Sequence, residues 1–265
     1  MAKKDTPAQS PATPRKNGQT ASRLPLFYSN PVPLDKQKHA SLSLKRNMGL
    51  GFVAGVNAVP VNAIEMPQIS LFYPIAFSPD ENATPVVILG LRDGENLFVD
   101  ARNNWAPDMY IPSYIRRYPF IFSEVPGGDQ LTLCIDMTDA TVSESGDQPF
   151  FEKDGSAAPL AKSALEFCKS YHAAALQTSA FSKAIADSGL LVDREARINV
   201  GDKARINFSG FRVIDEKKFA DLPDATFLEW RKRGWLAYIY AHLFSGAQWQ
   251  RLTHLLTERM KKDAA

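Results

Sequence analysis

Cysteine is nearly missing from this chain of 265 residues, and its scarcity excludes several classes at once. Cys134 and Cys168 sit in apolar-patterned segments without metal-ligand spacing, so neither a disulfide scaffold nor a thiolate zinc site is expected. They read as buried free thiols of a reducing compartment. Histidine is almost as sparse. His39, His172, His242 and His254 lie far apart, with no H-x-D/E or H-E-x-x-H pair, so no metal is expected. His242, within "AYIYAHLF", reads as a hydrogen-bonded core histidine. Gly49, Gly51 and Gly55 are wrongly spaced for a dinucleotide fingerprint. There is no P-loop and no G-x-S-x-G, so no cofactor is expected and no catalytic residue can be named. Long apolar runs are absent too, and about 18 consecutive apolar residues would be needed for a spanning helix. No apolar stretch follows Lys3 and Lys4, so the default location is the cytoplasm.

A dominant charge is also lacking. The formal net charge is +2, and it hides an asymmetry. Residues 1–23 carry Lys3, Lys4, Arg15, Lys16 and Arg23 against Asp5 alone, a net of about +4, leaving the remainder near −2. This tail is rich in Pro, Ser, Thr, Ala and Gln and has almost no large apolar residue. It cannot offset the entropy of ordering itself and reads as a disordered basic tail. Five scattered cations without interleaved aromatics make no case for nucleic acid.

What is present is a chain that is 45% hydrophobic, enough for a proper core. Three prolines from Pro25 to Pro33 predict an extended start. "GFVAGVNAVPV" reads as a strand, and Asn62 as the N-cap of a short helix. "YPIAF", "TPVVILGL", "NLFVD", "PFIFSEV" and "QLTLCID" read as short strands separated by turn residues. From Pro159, Ala164, Cys168, Tyr171 and Ile185 recur at helical spacing until Gly189. "ARINVGDKARINFSGFRVI" then reads as a hairpin about Gly201-Asp202, and three further helical stretches follow. Strands early and helices late predict an α+β fold. The sheet is mostly antiparallel, includes the later hairpin and packs against the C-terminal helices in a single globular domain over 24–260. Apolar positions on the last helices allow a homo-oligomer.

One segment concentrates chemistry. In "GLRDGENLFVD", Asp93-Gly94 predicts a type I′ hairpin turn. Arg92 then faces Glu95 as a cross-strand charge pair contributing about 0.2–1 kcal/mol, beside Asn96. Downstream, "WAPDMYIPSYIRRYPF" brings together Trp105, Tyr110, Tyr114, Arg116, Arg117 and Tyr118. Pro112 suits the first turn of a short helix and Pro119 ends it. Aromatics beside guanidiniums can build a pocket for a small anionic or aromatic ligand, and they can equally cap a sheet edge by stacking. The candidate ligand-binding set is therefore Arg92, Glu95, Asn96, Trp105, Tyr110, Tyr114, Arg116, Arg117 and Tyr118. Asp136 and Asp139, after a strand, read as turn or cap residues.

"PVVILGLRDGENLFVD", "YIPSYIRRYPFIF", "LTLCID", "FSGFRVIDEKKFADLP" and "LAYIYAHLFSGAQWQRL" occur in that order. Together they resemble the bacterial SapC family, named after an S-layer-associated protein. The peptide-transporter permease of that label would need spanning helices, and saposin C a disulfide-stapled helical domain. The resemblance covers roughly residues 24–256. It implies no established biochemical activity. It suggests an accessory or small-ligand-binding protein tied to nutrient uptake or to modification of an imported compound. Two alternatives stand beside that expectation. One is an enzyme using the Arg/Tyr/Trp cluster on a small anionic or aromatic substrate. The other is an S-layer or envelope component, a location suggested by the family name alone.

Overall fold

Prolines and short apolar runs keep the early strands brief in the computed structural model, which describes residues 24–46, 48–124, 131–200 and 204–263. The basic tail over 1–23 and the turn at Gly201-Asp202 lie outside the described residues. In chain order come β1 (Pro31–Pro33), β2 (Ser43–Leu44), a 3-10 turn (Gly51–Val53) and β3 (Ala58–Pro60). A second 3-10 turn (Ala63–Glu65) runs into α1 (Met66–Ile69), with Asn62 at its cap as expected. Then follow β4 (Ile75–Phe77), β5 (Pro85–Ile88), α2 (Ser113–Arg117), β6 (Phe120–Glu124), β7 (Leu131–Asp136) and β8 (Val142–Ser143). The later half holds α3 (Pro159–Asp187), β9 (Leu191–Val200), β10 (Ala204–Ile214), α4 (Glu216–Ala220), α5 (Asp224–Lys232), α6 (Trp235–Ser245) and α7 (Gln248–Asp263).

Every strand pairing among the described residues is antiparallel, and the architecture is α+β. One sheet runs β1-β7-β6, a second β3-β5-β4-β10-β9, and β2-β8 form a small third. The late hairpin joins the early sheet at one pair, Arg212 opposite Phe77. The Arg212 guanidinium secures that joint by donating to the Ser78 carbonyl at 3.0 and 2.8 Å.

Two cores result. The main one gathers Met66, Tyr73, Ile75 and Phe77 against Phe181, Ile185, Ile239, Leu252 and Leu256. A smaller one holds Phe120, Ile135 and Phe150 against Ala164 and Cys168. Helix α3 belongs to both. Its periodic apolar face puts Ala164 and Cys168 on the small core, then Phe181 and Ile185 on the large one, over roughly 44 Å. Pro159 starts it without the loss of a helical hydrogen bond, and Gly189, at φ +70, turns the chain away. No helix among the described residues is long and apolar enough to cross a membrane. The surface expected to serve self-association includes α6, where Tyr240 and Phe244 are exposed and stacked on each other.

Two expected strands differ. "GFVAGVNAVPV" extends only over β3, because Val53 and Ala54 close 3-10 bonds to Leu50 and Gly51 first. "NLFVD" is no strand, so the hairpin about Asp93-Gly94 has a turn but no ladder. Gly94 takes a positive φ (+74) but Asp93 does not, so the turn is not the expected type I′, which needs positive φ at both central positions. The flanking backbone groups are spent on the 51–57 segment. Leu89 and Gly90 both donate to the Asn57 carbonyl at 2.7 and 3.1 Å, and Asn96 donates to Ala54 at 2.8 Å. The Asn96 side chain accepts from the Phe98 N–H at 2.9 Å, the kind of local bond that competes with a ladder. Only Leu97 to Leu89, at 2.9 Å, links the arms. The crossing is close: a Cβ on Gly90 would lie 2.0 Å from the Glu95 carbonyl oxygen. From α7, Arg259 clasps the carbonyls of Asn96, Leu97 and Val99.

Candidate functional site

The nine candidate residues fall into three settings. Arg92 and Glu95 do form their charge pair, as a fork across the turn, with Arg92 Nε donating to Glu95 Oε2 at 2.8 Å and Nη2 to Oε1. Asn96 is buried beneath as a backbone bracket. Arg92 borders a cleft of about 500 Å³ between β5 and the bulged part of β10. Its charge is already matched by Glu95, so an incoming anion would have to compete for it.

Trp105 and Tyr110 belong to a partly buried hydrogen-bond chain. Trp105 Nε1 donates to the Tyr73 hydroxyl at 2.9 Å, which donates to the Tyr110 carbonyl at 2.7 Å. The Tyr110 hydroxyl donates to Glu65 at 2.7 Å, and Glu65 also receives the Ser113 N–H (2.8 Å) and hydroxyl and the Asn62 N–H (3.3 Å). This buried carboxylate pins α1 to the start of α2. The chain organises the site and offers it no open donor.

Tyr114, Arg116, Arg117 and Tyr118 form the third setting. Pro112 is the N-cap of α2, one place before the first-turn position the sequence predicted, and a cis Tyr118-Pro119 bond follows the helix. This short turn sends consecutive arginines to different places. Arg116 is exposed, with Nε donating to the Ile111 carbonyl (2.9 Å) and Nη2 to the Tyr110 hydroxyl (3.0 Å). Arg117 turns inward to a cage of rings, its guanidinium carbon 4.3 Å from the centre of Tyr171, 4.8 Å from Tyr114 and 5.6 Å from Tyr28. No carboxylate among the described residues pairs with it, and its Nε is buried without a hydrogen-bond partner.

The electrostatics follow from that placement. Burial raises the hydroxyl pKa values of Tyr28, Tyr114 and Tyr171, and the Arg117 charge pulls each back down. All three stay neutral phenols at ordinary pH, so their rings face the cation and their oxygens do not neutralise it. Burial likewise pushes the Cys168 thiol up to about 11, which keeps it from acting as a thiolate nucleophile. The Tyr118 hydroxyl is held on Asp136 Oδ2 at 2.9 Å, and Asp136 also takes the Ser29 and Asn30 N–H groups at 2.8 and 2.6 Å. Asp136 is thus a turn anchor.

Arg116, Arg117 and Tyr118 line one cleft of about 300 Å³ at the end of the smaller core, with no acidic residue among the described residues that line it. Its other walls are apolar, among them Leu44, Phe120, Leu160 and Phe167, with Cys168 beside Arg117. The cleft shares no lining residue with the one bordered by Arg92, so the predicted set does not form one site. Tyr28, Tyr171 and Phe167 were missed. Tyr171 and Phe167 lie on the periodic face of α3, the one legible hint that they meet α2. Tyr28 carries no local signal.

With this geometry in view, the chain's relationships are simple. A family model described as SapC matches residues 34–252, so the chain belongs to the SapC family. No curated protein and no solved structure matches it.

Proposed function

We propose that this SapC-family chain is a non-catalytic accessory protein that binds a small anionic or aromatic ligand in the Arg116–Arg117–Tyr118 cleft. One observation carries the reading: Arg117 is held by three tyrosine rings, has no carboxylate partner among the described residues, and lines a cleft with no acidic wall. Desolvating a cation is costly unless it is paired. Here the rings stabilise it, the Tyr28 hydroxyl shares a hydrogen bond with it, and its Nε is left without a partner. Cys168 and Tyr118 are both pushed away from their ionised forms, which favours binding over nucleophilic chemistry.

A thermal-shift screen of small carboxylates, phosphates, nucleotides and sugars tests this. A ligand at 100 times its Kd adds about 2.7 kcal/mol of stability, visible as a raised Tm. The shift should vanish in Arg117→Met, which keeps the side-chain bulk and removes the charge. A confirmed ligand whose shift survives that substitution would remove the cleft from consideration.

A further inference from the structure

We infer that the ligand of this cleft is a monocarboxylate with a compact apolar body, and that Arg117 receives its two oxygens. The inference rests on the binding role proposed above and narrows it to one chemical class.

The donors decide the head group. Arg116 has committed Nε and Nη2 to Ile111 and Tyr110, whereas Arg117, the other cation lining the cleft, keeps its Nε without a partner. No lysine is among the described residues that line the cleft. The Arg117 guanidinium is a fixed planar fork held among the rings of Tyr28, Tyr114 and Tyr171. A fork matches a planar carboxylate in a two-bond contact. A phosphoryl group brings nearly two charges and three acceptor oxygens, and this cleft offers too few donors to satisfy them.

The walls decide the body. Beyond the arginines the surface is hydrocarbon and aromatic, with Leu44, Phe120, Leu160 and Phe167 facing the space. A volume of about 300 Å³ is at the low end for ligand pockets, which suits one ring or a short chain. A sugar or a nucleotide would strand its hydroxyls against these walls. Cys168, protonated at neutral pH, adds no competing negative charge beside Arg117.

Calorimetric titration of the full chain with benzoate, octanoate, benzyl alcohol, phenyl phosphate and inorganic phosphate tests the inference. Benzoate or octanoate should bind, and benzyl alcohol should bind at least about tenfold more weakly than benzoate, the loss of a charge-assisted contact. Arg117→Met should bring benzoate down to the level of the alcohol. Should that variant not fold, Ser163→Phe is the alternative. Ser163 is an exposed lining residue, and a ring there would occupy cleft volume while leaving the Arg117 side chain itself unchanged. It should abolish carboxylate binding. Phenyl phosphate binding as tightly as benzoate, or benzyl alcohol matching it, would overturn the carboxylate assignment while sparing the cleft, provided Arg117→Met or Ser163→Phe weakens that binding. If no probe binds, or if binding survives both substitutions, the assignment and the binding role fail together.

Discussion

His242 shows how far one side chain's role can be derived and how it can be tested. It is buried on α6 with Nε2 accepting the Ile214 N–H at 3.1 Å, so the ring is the neutral tautomer carrying its proton on Nδ1. Burial lowers its pKa from 6.5 to about 4. Between those two values the unfolded chain takes up a proton that the folded chain refuses. Stability should therefore fall as pH drops through that window, by on the order of 3 kcal/mol, and level off below it. Denaturant titrations of His242→Gln from pH 7 to pH 4 should show this acid limb flattened. An unchanged slope would mean that other groups dominate it. The reading of His242 as a core histidine needed only its apolar neighbours. Arg117 was harder, because Arg116 and Arg117 look alike in sequence. Which one turned inward depended on rings supplied by residue 28 and by α3, far away along the chain.

Helices were more legible than strands at the scale of the element. The run from Pro159 to Gly189 announced α3 through spacing, a first-turn proline and a terminating glycine, and all three appear in the structure. The ladder expected beyond Asp93-Gly94 failed for a different reason. The turn was located correctly at Asp93-Gly94, but its type was not, since only Gly94 takes a positive φ, and the backbone bonds on either side went to partners that no local pattern reveals. Polar residues within helices carry similar long-range roles. Thr178 on α3 accepts the Ala63 N–H at 2.8 Å while donating to the Ala174 carbonyl at 2.7 Å. Thr178→Val keeps the shape but strands that buried N–H, and should cost about 1–3 kcal/mol in chemical denaturation. A loss well under 1 kcal/mol would show that the 3-10 turn over Ala63–Glu65 relaxes to find another acceptor.

The whole molecule hangs on α3 as a shared member of two cores. Because its two halves pack on different sheets, neither core can lose the helix without exposing apolar side chains in the other. Unfolding is accordingly expected as one cooperative transition, with calorimetric and van't Hoff enthalpies in agreement. Two resolved transitions would mean that the β1-β7-β6 sheet is an independent unit. The α+β class was visible in the sequence because strand signals crowd the first half and helical spacing the second. The two-core arrangement was not, since no periodicity states which sheet each turn of a helix will cover.

Gly90 leaves a consequence for inheritance. With a carbonyl oxygen 2.0 Å from where its Cβ would stand, every amino acid that a single base change can put there arrives with an atom the crossing has no space for. A lineage cannot leave this position by small steps while the Arg92–Glu95 turn keeps its path. It must move the loop first or not at all. The stretch that identifies the family is, on this view, held in place by an absence.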